Sequence, residues 1–358
     1  MGRRVTLKEV ATAAGVSVSA ASMALNGRPT RMTDETRKRI LAAAAQLHYT
    51  PNQMARSLVT SRSMLLALLI PDIENLFFAS LAKAIEDVCG ADGYSLIVAN
   101  SGDSREAERE LLRKLESRGV DGIMLIPARE SMDDVASLRR DVEQLTCPVV
   151  LADRLPDELW CDAVSADHYQ GGRMVARLLI ESGHRRVACV AGDERPGDVR
   201  VRFAGFVDEL AEHGIIMDDA LQVGGGYRFD GGYDAADGIL DAGATAVFCC
   251  NDLMAMGFLS RMRERGLRAP DDCAVVGYDH IAGRFGMPEL TTVDQNVPKL
   301  ARDCYDVMMS RVSERGKGAV DGERGDASVR PWLSEPRRVL VMPDLVEGDT
   351  IGVRDTGL

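Results

Sequence analysis

The chain has 358 residues, 46% of them hydrophobic and 27% charged, which is the balance of a soluble globular protein with room for two or three domains. No apolar run approaches the roughly 20 residues of a membrane span, and no apolar leader follows the basic start, so a cytoplasmic protein without a membrane partner is expected. The net charge of −12 is unevenly divided: through Arg62, ten Lys/Arg stand against three acids, which makes that segment +7 and the remainder −19.

The first elements lie in the basic segment. Thr6-Leu7-Lys8-Glu9 is a capping box, in which the Thr hydroxyl caps a helix start and Glu9 reaches back. Leu7, Val10, Ala11 and Ala14 follow on one helical face, and Gly15 stops the helix. Ser17 caps a second short helix with Ala21, Ala24 and Leu25 inward, ended by Asn26-Gly27. Thr33, Asp34 and Glu35 open a third, whose apolar stripe is Ile40, Leu41, Ala44 and Leu47. Three short helices with a Gly-Val-Ser turn between the first two predict a helix-turn-helix. A basic head on an acidic body lets the head find phosphates while the body stays off them.

Val5 through Ala11, then Gly15-Val16-Ser17-Val18-Ser19, Leu25-Asn26-Gly27 and Tyr49-Thr50-Pro51-Asn52, resemble the head of the LacI/GalR family of transcription regulators. The resemblance implies a second helix in the DNA major groove, with Val18, Ser19 and Met23 at the base-reading positions. It places Ser17, Ser22 and Asn26 on the phosphate backbone, a role short donors fit, and Thr6 within the DNA-facing set. Many members carry Arg where Met23 stands, and Met cannot pair two-pronged with guanine. Readout is therefore expected to rest on apolar contact, on Ser19 and on DNA shape. After Pro51, the run 52–58 is helix-capable but too short to stand alone, and by composition it fits an ordinary linker. The resemblance implies instead a hinge helix that forms on DNA, with Arg56 beside the backbone, Leu58 as a minor-groove wedge and Asn52 within the DNA-facing set.

Beyond residue 62, apolar strand candidates at 65–70, 95–99, 122–126, 148–151, 187–191, 246–250 and 273–277 alternate with helices at 77–90, 104–118, 169–182, 200–212 and 253–264. Continuous apolar strands in a βα rhythm imply parallel sheets covered on both faces. The rhythm breaks near 163–167, so two doubly wound lobes facing a cleft are expected, with ligand groups at strand C-terminal ends. Ile70-Pro71-Asp72, Gly183-His184-Arg185-Arg186-Val187, Arg202-Phe203-Ala204-Gly205-Phe206, Cys250-Asn251-Asp252 and Val276-Gly277-Tyr278-Asp279 also resemble the family, whose sensor is periplasmic-binding-protein-like. The expected architecture is an all-α helix-turn-helix head plus an α/β sensor with two doubly wound parallel-sheet lobes. Its parts are a DNA-binding domain over 1–50, a hinge over 51–62 and an effector domain over 63–358. The first lobe takes about 63–164 and 294–330, the second about 165–293 and 331–358.

For the effector, Asp153, Arg202, Asn251 and Asp279 are the polar candidates, each just past a strand or at a helix start. Phe77, Phe78 and Tyr227 are the candidate apolar walls. Carboxylates, an amide and a guanidinium beside aromatic faces suit a polyhydroxylated ligand, whose hydroxyls both donate and accept, so a sugar is the first choice and a purine or nucleoside the alternative. Arg154 and Arg200 read as rim or interlobe ion pairs. The stretch 315–336, rich in Gly, Arg, Asp and Glu, reads as a surface loop that includes Trp332. A last strand follows at 338–342, and no leucine heptad follows it, so a homodimer is expected.

The eight cysteines are scattered, many in apolar runs, and predict buried thiols rather than disulfides or a metal site. No nucleotide loop, nucleophile elbow or zinc-hydrolase motif is found, so neither an enzyme nor a cofactor is expected. A sugar-binding transport protein would fit the body but not the basic head. The reading is therefore a repressor that binds palindromic operator DNA as a dimer under control of a small molecule.

Overall fold

The computed structural model describes residues 5–25, 32–49, 62–192, 198–281, 290–318 and 335–353, with side chains for all of these except 198–200 and 315–318. It divides into two units, Met1–Ser63 and Met64–Leu358. The expected sites at Asn26, Asn52, Arg56 and Leu58, the Arg200 side chain and the 319–334 part of the Gly/Arg-rich loop, Trp332 included, lie outside the described residues.

In the first unit, α1 (Leu7–Ala13), α2 (Val18–Leu25) and α3 (Asp34–Gln46) enclose Val10, Ala11, Ala14, Ala21, Ala24, Ile40, Ala43 and Ala44. Most of these side chains are alanine, which lets three short helices pack closely. The capping box forms: Glu9 N–H donates to Thr6 Oγ1 at 3.4 Å and Thr6 N–H to Glu9 Oε2 at 2.8 Å. Gly15 takes φ 63°, the left-handed geometry that turns the chain between α1 and α2. Arg39 Nε donates to the Ala14 carbonyl at 2.9 Å and so ties α3 to the end of α1. The predicted stripe of α3 fails at Leu41, which is 47% exposed, because Ile40, Ala43 and Ala44 already complete the buried face.

The second unit holds a six-stranded parallel sheet of β1 (Leu65–Ile70), β2 (Ser95–Asn100), β3 (Gly122–Leu125), β4 (Val149–Ala152), β5 (Asp162–Ala166) and β11 (Arg338–Val341), in the order β11-β5-β4-β3-β1-β2. Alternation along β1 divides its side chains between two cores. Leu66, Leu68 and Ile70 join α4 (Leu76–Ala91) and α12 (Val297–Gly318), whereas Ala67 and Leu69 join α5 (Arg105–Ser117) and α7 (Val135–Glu143). Both faces are thus covered, which is why the strand reads as a continuous apolar run. A short α6 (Arg129–Asp133) precedes α7.

A four-stranded parallel sheet, ordered β7-β6-β8-β9, forms the second lobe from β6 (Val187–Ala191), β7 (Gln222–Gly224), β8 (Ala246–Cys249) and β9 (Ala274–Val276). It is covered by α8 (His168–Glu181), α9 (Asp198–Glu212), α10 (Phe229–Asp241) and α11 (Asp252–Glu264). A Cβ at Gly172 would overlap the Arg202 carbonyl, and one at Gly205 the Tyr169 carbonyl, so these glycines let α8 and α9 touch backbone to backbone.

The chain leaves the first lobe after β5 and returns through β10 (Thr292–Asp294) into α12. The expected boundary near the C-terminus needs correction. Residues 331–358 were assigned wholly to the second lobe, yet β11 pairs in parallel with β5, Arg338 opposite Ala163, and extends the first sheet. Only afterwards does the chain cross, as β12 (Asp344–Val346) pairs antiparallel with β10 and Thr350 Oγ1 donates to Val275 O at 2.6 Å. The expected break at 163–167 is itself the buried strand β5. A bidentate ion pair anchors β5: Arg311 of α12 reaches Asp162 through Nε at 2.6 Å and Nη2 at 2.9 Å. All eight cysteines are buried thiols in no disulfide.

Candidate effector pocket and nucleic-acid-reading helix

Each polar candidate of the body is placed by the end of a strand or the start of a helix. Asp153 follows β4 and Asp279 follows β9, with φ 62° and 111°; Tyr227 follows β7 at φ 61°. Three non-glycine residues held in left-handed geometry at one place are backbone strain stored where side chains converge. Asn251 follows β8 and caps α11: Met254 N–H donates to its Oδ1 at 2.9 Å, while its Nδ2 donates to the Tyr227 carbonyl at 3.1 Å. Phe77 and Phe78 lie in the first turn of α4, edge to face at 5.5 Å.

These seven residues line one small cavity of about 20 Å³, together with Asn75, Arg154 and Gln295. That is room for about one water. A wider chamber of about 240 Å³ shares Asn75, Phe78, Arg154 and Tyr227 with it and adds Asp72, Glu74, Asp103, Arg129, Gly226, Leu253 and residues 228–230. Lining comes from both lobes, so the chambers are the inner and outer parts of the interlobe cleft.

Charge in the inner chamber is tightly organised. Arg202 is buried with its Cζ 3.4 Å from the Tyr278 ring centre, its Nη2 3.2 Å from His168 Nδ1, and its Nη1 donating to the Cys250 carbonyl. Asp279 accepts from Gln295 Nε2 at 2.6 Å. Burial pushes the Asp279 carboxyl well above the usual carboxylate range, against the pull of Arg202. Asp153 Oδ1 and Gln295 Oε1 are buried with no hydrogen-bond partner among the described residues, leaving acceptors for an incoming donor.

At the outer chamber, Arg154 is a first-lobe pair and not an interlobe one: its Nη1 meets Asp103 Oδ1 at 2.6 Å, and Arg129 Nε meets the other oxygen at 2.7 Å. Burial would raise the Asp103 pKa, but Arg154 and Arg129 hold it below the ordinary value. An interlobe ion pair does form from Arg228 Nη2 to Asp72 Oδ2 at 3.2 Å, on the open rim. His280, next to Asp279, instead meets Asp294 through Nδ1 at 3.1 Å.

Sequence reasoning missed Asn75 and Gln295. Asn75 caps α4 by accepting from Phe77 N–H at 3.0 Å, a role the Asn before Leu76-Phe77-Phe78 could have signalled. Gln295 is the first residue after β10, whose three residues are too few for a strand pattern.

On the first unit, α2 presents Val18, Ser19 and Met23 outward with Ser22 half-buried, while Ala21 and Ala24 face the core. Val18 is 44% and Met23 38% exposed, a high apolar share for one short helix face. Ser17 lies exposed just before α2, its Oγ accepting from Ala20 N–H at 3.1 Å, and Thr6 caps α1. The outward face of α2 thus carries an apolar pair and a hydroxyl, with the Ser17 hydroxyl beside it.

Residues 6–52 match the description of bacterial regulatory proteins of the lacI family, and residues 176–330 that of a periplasmic binding protein-like domain. The HTH-type transcriptional repressor PurR of Pasteurella multocida is 32% identical over 92% of this chain and 96% of its own. PurR of Vibrio cholerae is 30% identical over 97% of this chain and 98% of its own. Among solved structures, the lac repressor dimer bound to operator and the anti-inducer ONPF superposes with a TM-score of 0.80 at 25% identity, covering 97% of this chain and 99% of its own. The transcriptional regulator CelR in complex with cellobiose gives 0.68 at 26% identity, with 97% and 100% covered.

Proposed function

The chain belongs to the lacI family of bacterial regulatory proteins, and on that basis we propose that it is a sugar-responsive transcriptional repressor working as a homodimer in the cytoplasm. Two heads read the halves of a roughly palindromic operator, as the symmetry of a dimer requires. Ser17, Ser22 and Asn26 hold phosphates, and Val18, Ser19 and Met23 face the bases. Thr6, Asn52, Arg56 and Leu58 complete the DNA-facing set. The effector enters the interlobe cleft and changes the relation of the lobes, and through them the affinity of the heads. The protein performs no catalysis.

The observation that supports the ligand class is the set of walls around the inner chamber. Asp153, Arg202, Asn251, Asp279 and Gln295 supply donors and acceptors beside Phe77, Phe78 and Tyr227. Hydroxyls, which donate to one neighbour while accepting from another, match such a mixed lining. The inner chamber holds only a water-sized group, so a sugar lying in the outer chamber reaches it with one hydroxyl.

Thermal-shift screening with cellobiose, D-ribose, D-galactose, adenine and hypoxanthine tests the reading, since a ligand of the native state raises the melting temperature. The expected result is a shift with a sugar and none with the nucleobases. A shift with the nucleobases alone assigns the purine reading. Operator affinity, measured by fluorescence anisotropy with and without the shifting ligand, must change by the same factor as ligand affinity with and without operator. Equal affinities in both comparisons overturn the allosteric function.

A further inference from the structure

His168 stands where the chain leaves β5 of the first sheet and begins α8 of the second lobe. It is buried, and it is not among the residues that line the inner chamber. Its ring lies one layer behind, between the chamber's cation and one of its carboxylates. Nδ1 is 3.2 Å from Arg202 Nη2 and 3.1 Å from the Tyr278 hydroxyl. Nε2 is 3.7 Å from Asp153 Oδ1, and neither of these two atoms has a hydrogen-bond partner among the described residues.

A guanidinium can only donate. Nδ1 must therefore accept from Arg202, and the ring proton sits on Nε2, directed at the carboxylate of Asp153. A gap of 3.7 Å is longer than a hydrogen bond, but both atoms are buried and each offers what the other lacks. Asp153 belongs to the first lobe and Arg202 to the second. The imidazole thus joins the two lobes immediately beneath the chamber floor.

We infer that His168 is a positioning residue of the effector pocket, accepting from Arg202 through Nδ1 and presenting Nε2–H to Asp153. The role rests on the reading of the cleft as the effector site. It sets the plane of the Arg202 guanidinium, which is otherwise held by the Tyr278 ring face and the Cys250 carbonyl. It also gives Asp153 a donor from the opposite lobe, so closure of the cleft by less than 1 Å at this point completes the bond. A histidine kept only to fill space would need no particular tautomer, and a leucine of similar volume would replace it.

Two measurements on the full-length protein test this. Long-range ¹H–¹⁵N NMR, with the His168 signals identified by their loss in His168→Gln, should show the Nε2–H tautomer at pH 7. An Nδ1–H ring or an imidazolium overturns the inference, whatever the ligand proves to be. The second measurement uses cellobiose, D-ribose and D-galactose as thermal-shift probes. For a sugar that binds the wild type, His168→Leu should weaken binding by about tenfold or more, because Arg202 loses an acceptor that orients it and Asp153 the donor that faces it. His168→Gln and His168→Asn, which each restore a donor or an acceptor, should recover most of it. Wild-type affinity in a folded His168→Leu overturns the inference. Failure of all three sugars to bind the wild type counts against the sugar reading, and the tautomer then decides the role of His168 alone.

Discussion

The guanidinium carbon of Arg202 lies 3.4 Å from the centre of the Tyr278 ring, closer than any other cation over an aromatic face among the described residues. Arg202 comes from α9 and Tyr278 from the end of β9, so the stack joins a helix to the sheet edge on which Asn251 and Asp279 sit. The backbone contact of α8 with α9 at Gly172 and Gly205 brings Arg202 to this depth. A flat, delocalised cation satisfies the ring face, the Cys250 carbonyl and His168 together, which a point charge on a flexible stem cannot do.

Arg202→Lys should therefore destabilise the protein by about 1–3 kcal/mol, because buried acceptors lose charge-assisted bonds. Urea denaturation measures the loss. A variant as stable as the wild type would mean that the stack and its bonds contribute nothing to the fold.

Asp279 gives a pH signature with a definite sign. Burial raises its folded-state pKa above the ordinary 3.8, so the folded state holds the proton more tightly than the unfolded chain. The stability this group contributes is present below about pH 3.8 and declines as pH rises through the window up to the folded value. Asp279→Asn keeps a carbonyl oxygen for Gln295 Nε2 and removes the charge. It should be more stable than the wild type at pH 7, with the difference shrinking toward pH 4. Urea midpoints at several pH values check this; a constant difference would refute it.

Arg311 and Asp162 form a bidentate pair with both side chains almost fully buried. Asp162 also accepts from Arg337 N–H at 2.8 Å, where the chain enters β11. Removing one partner leaves an uncompensated buried charge, so Arg311→Ala should cost about 3–5 kcal/mol. Denaturant titration measures it, and a loss below about 1 kcal/mol, the value of a surface pair, would contradict the burial.

Burial raises the Cys161 thiol to about 12 and the Cys89 thiol to about 11. Thiolate, the reactive form, is then scarce at neutral pH. Ellman's reagent should label none of the eight cysteines in the native protein at pH 7.5 and all eight in guanidinium. Fast labelling of even one native thiol would show that the fold opens around it.

Met23→Arg tests base readout on α2. Met23 is exposed on the face it shares with Val18 and Ser19, so a guanidinium there has a free path outward. If α2 lies in the major groove, selection from a random operator library should gain a guanine preference worth about 1–3 kcal/mol at one position in each half-site. An unchanged operator would place this face away from the bases. Met23→Ala should cost less, since it removes only apolar contact.

Much of this protein is determined locally and was legible in the sequence. Thr6 with Glu9, Gly15, and the alanines inside three short helices specify the head through capping, left-handed geometry and periodicity, all within a few residues. The long strands β1, β6 and β8 were legible because both their faces are buried. Asp153, Arg202, Asn251 and Asp279 could be named as candidates because each lies just past a strand or near a helix start, where a parallel sheet places ligand groups, and because together they resemble the family pattern. Leu41 was misread because periodicity fixes a stripe only to within a residue, and packing against α1 and α2 chooses its centre.

Tertiary structure decided the rest, because it depends on contacts distant in sequence. β11 joins the first sheet through pairing with β5, about 175 residues earlier, and nothing in its four residues says which sheet has a vacant edge. Gln295 reaches Asp279 only because a three-residue strand crosses between lobes. His168 is one of five histidines in the sequence, and only the meeting of two lobes puts Arg202 on one side of its ring and Asp153 on the other. A sequence specifies which groups are available at the ends of its strands; the distances that make them a pocket arise only when both sheets have folded and faced each other.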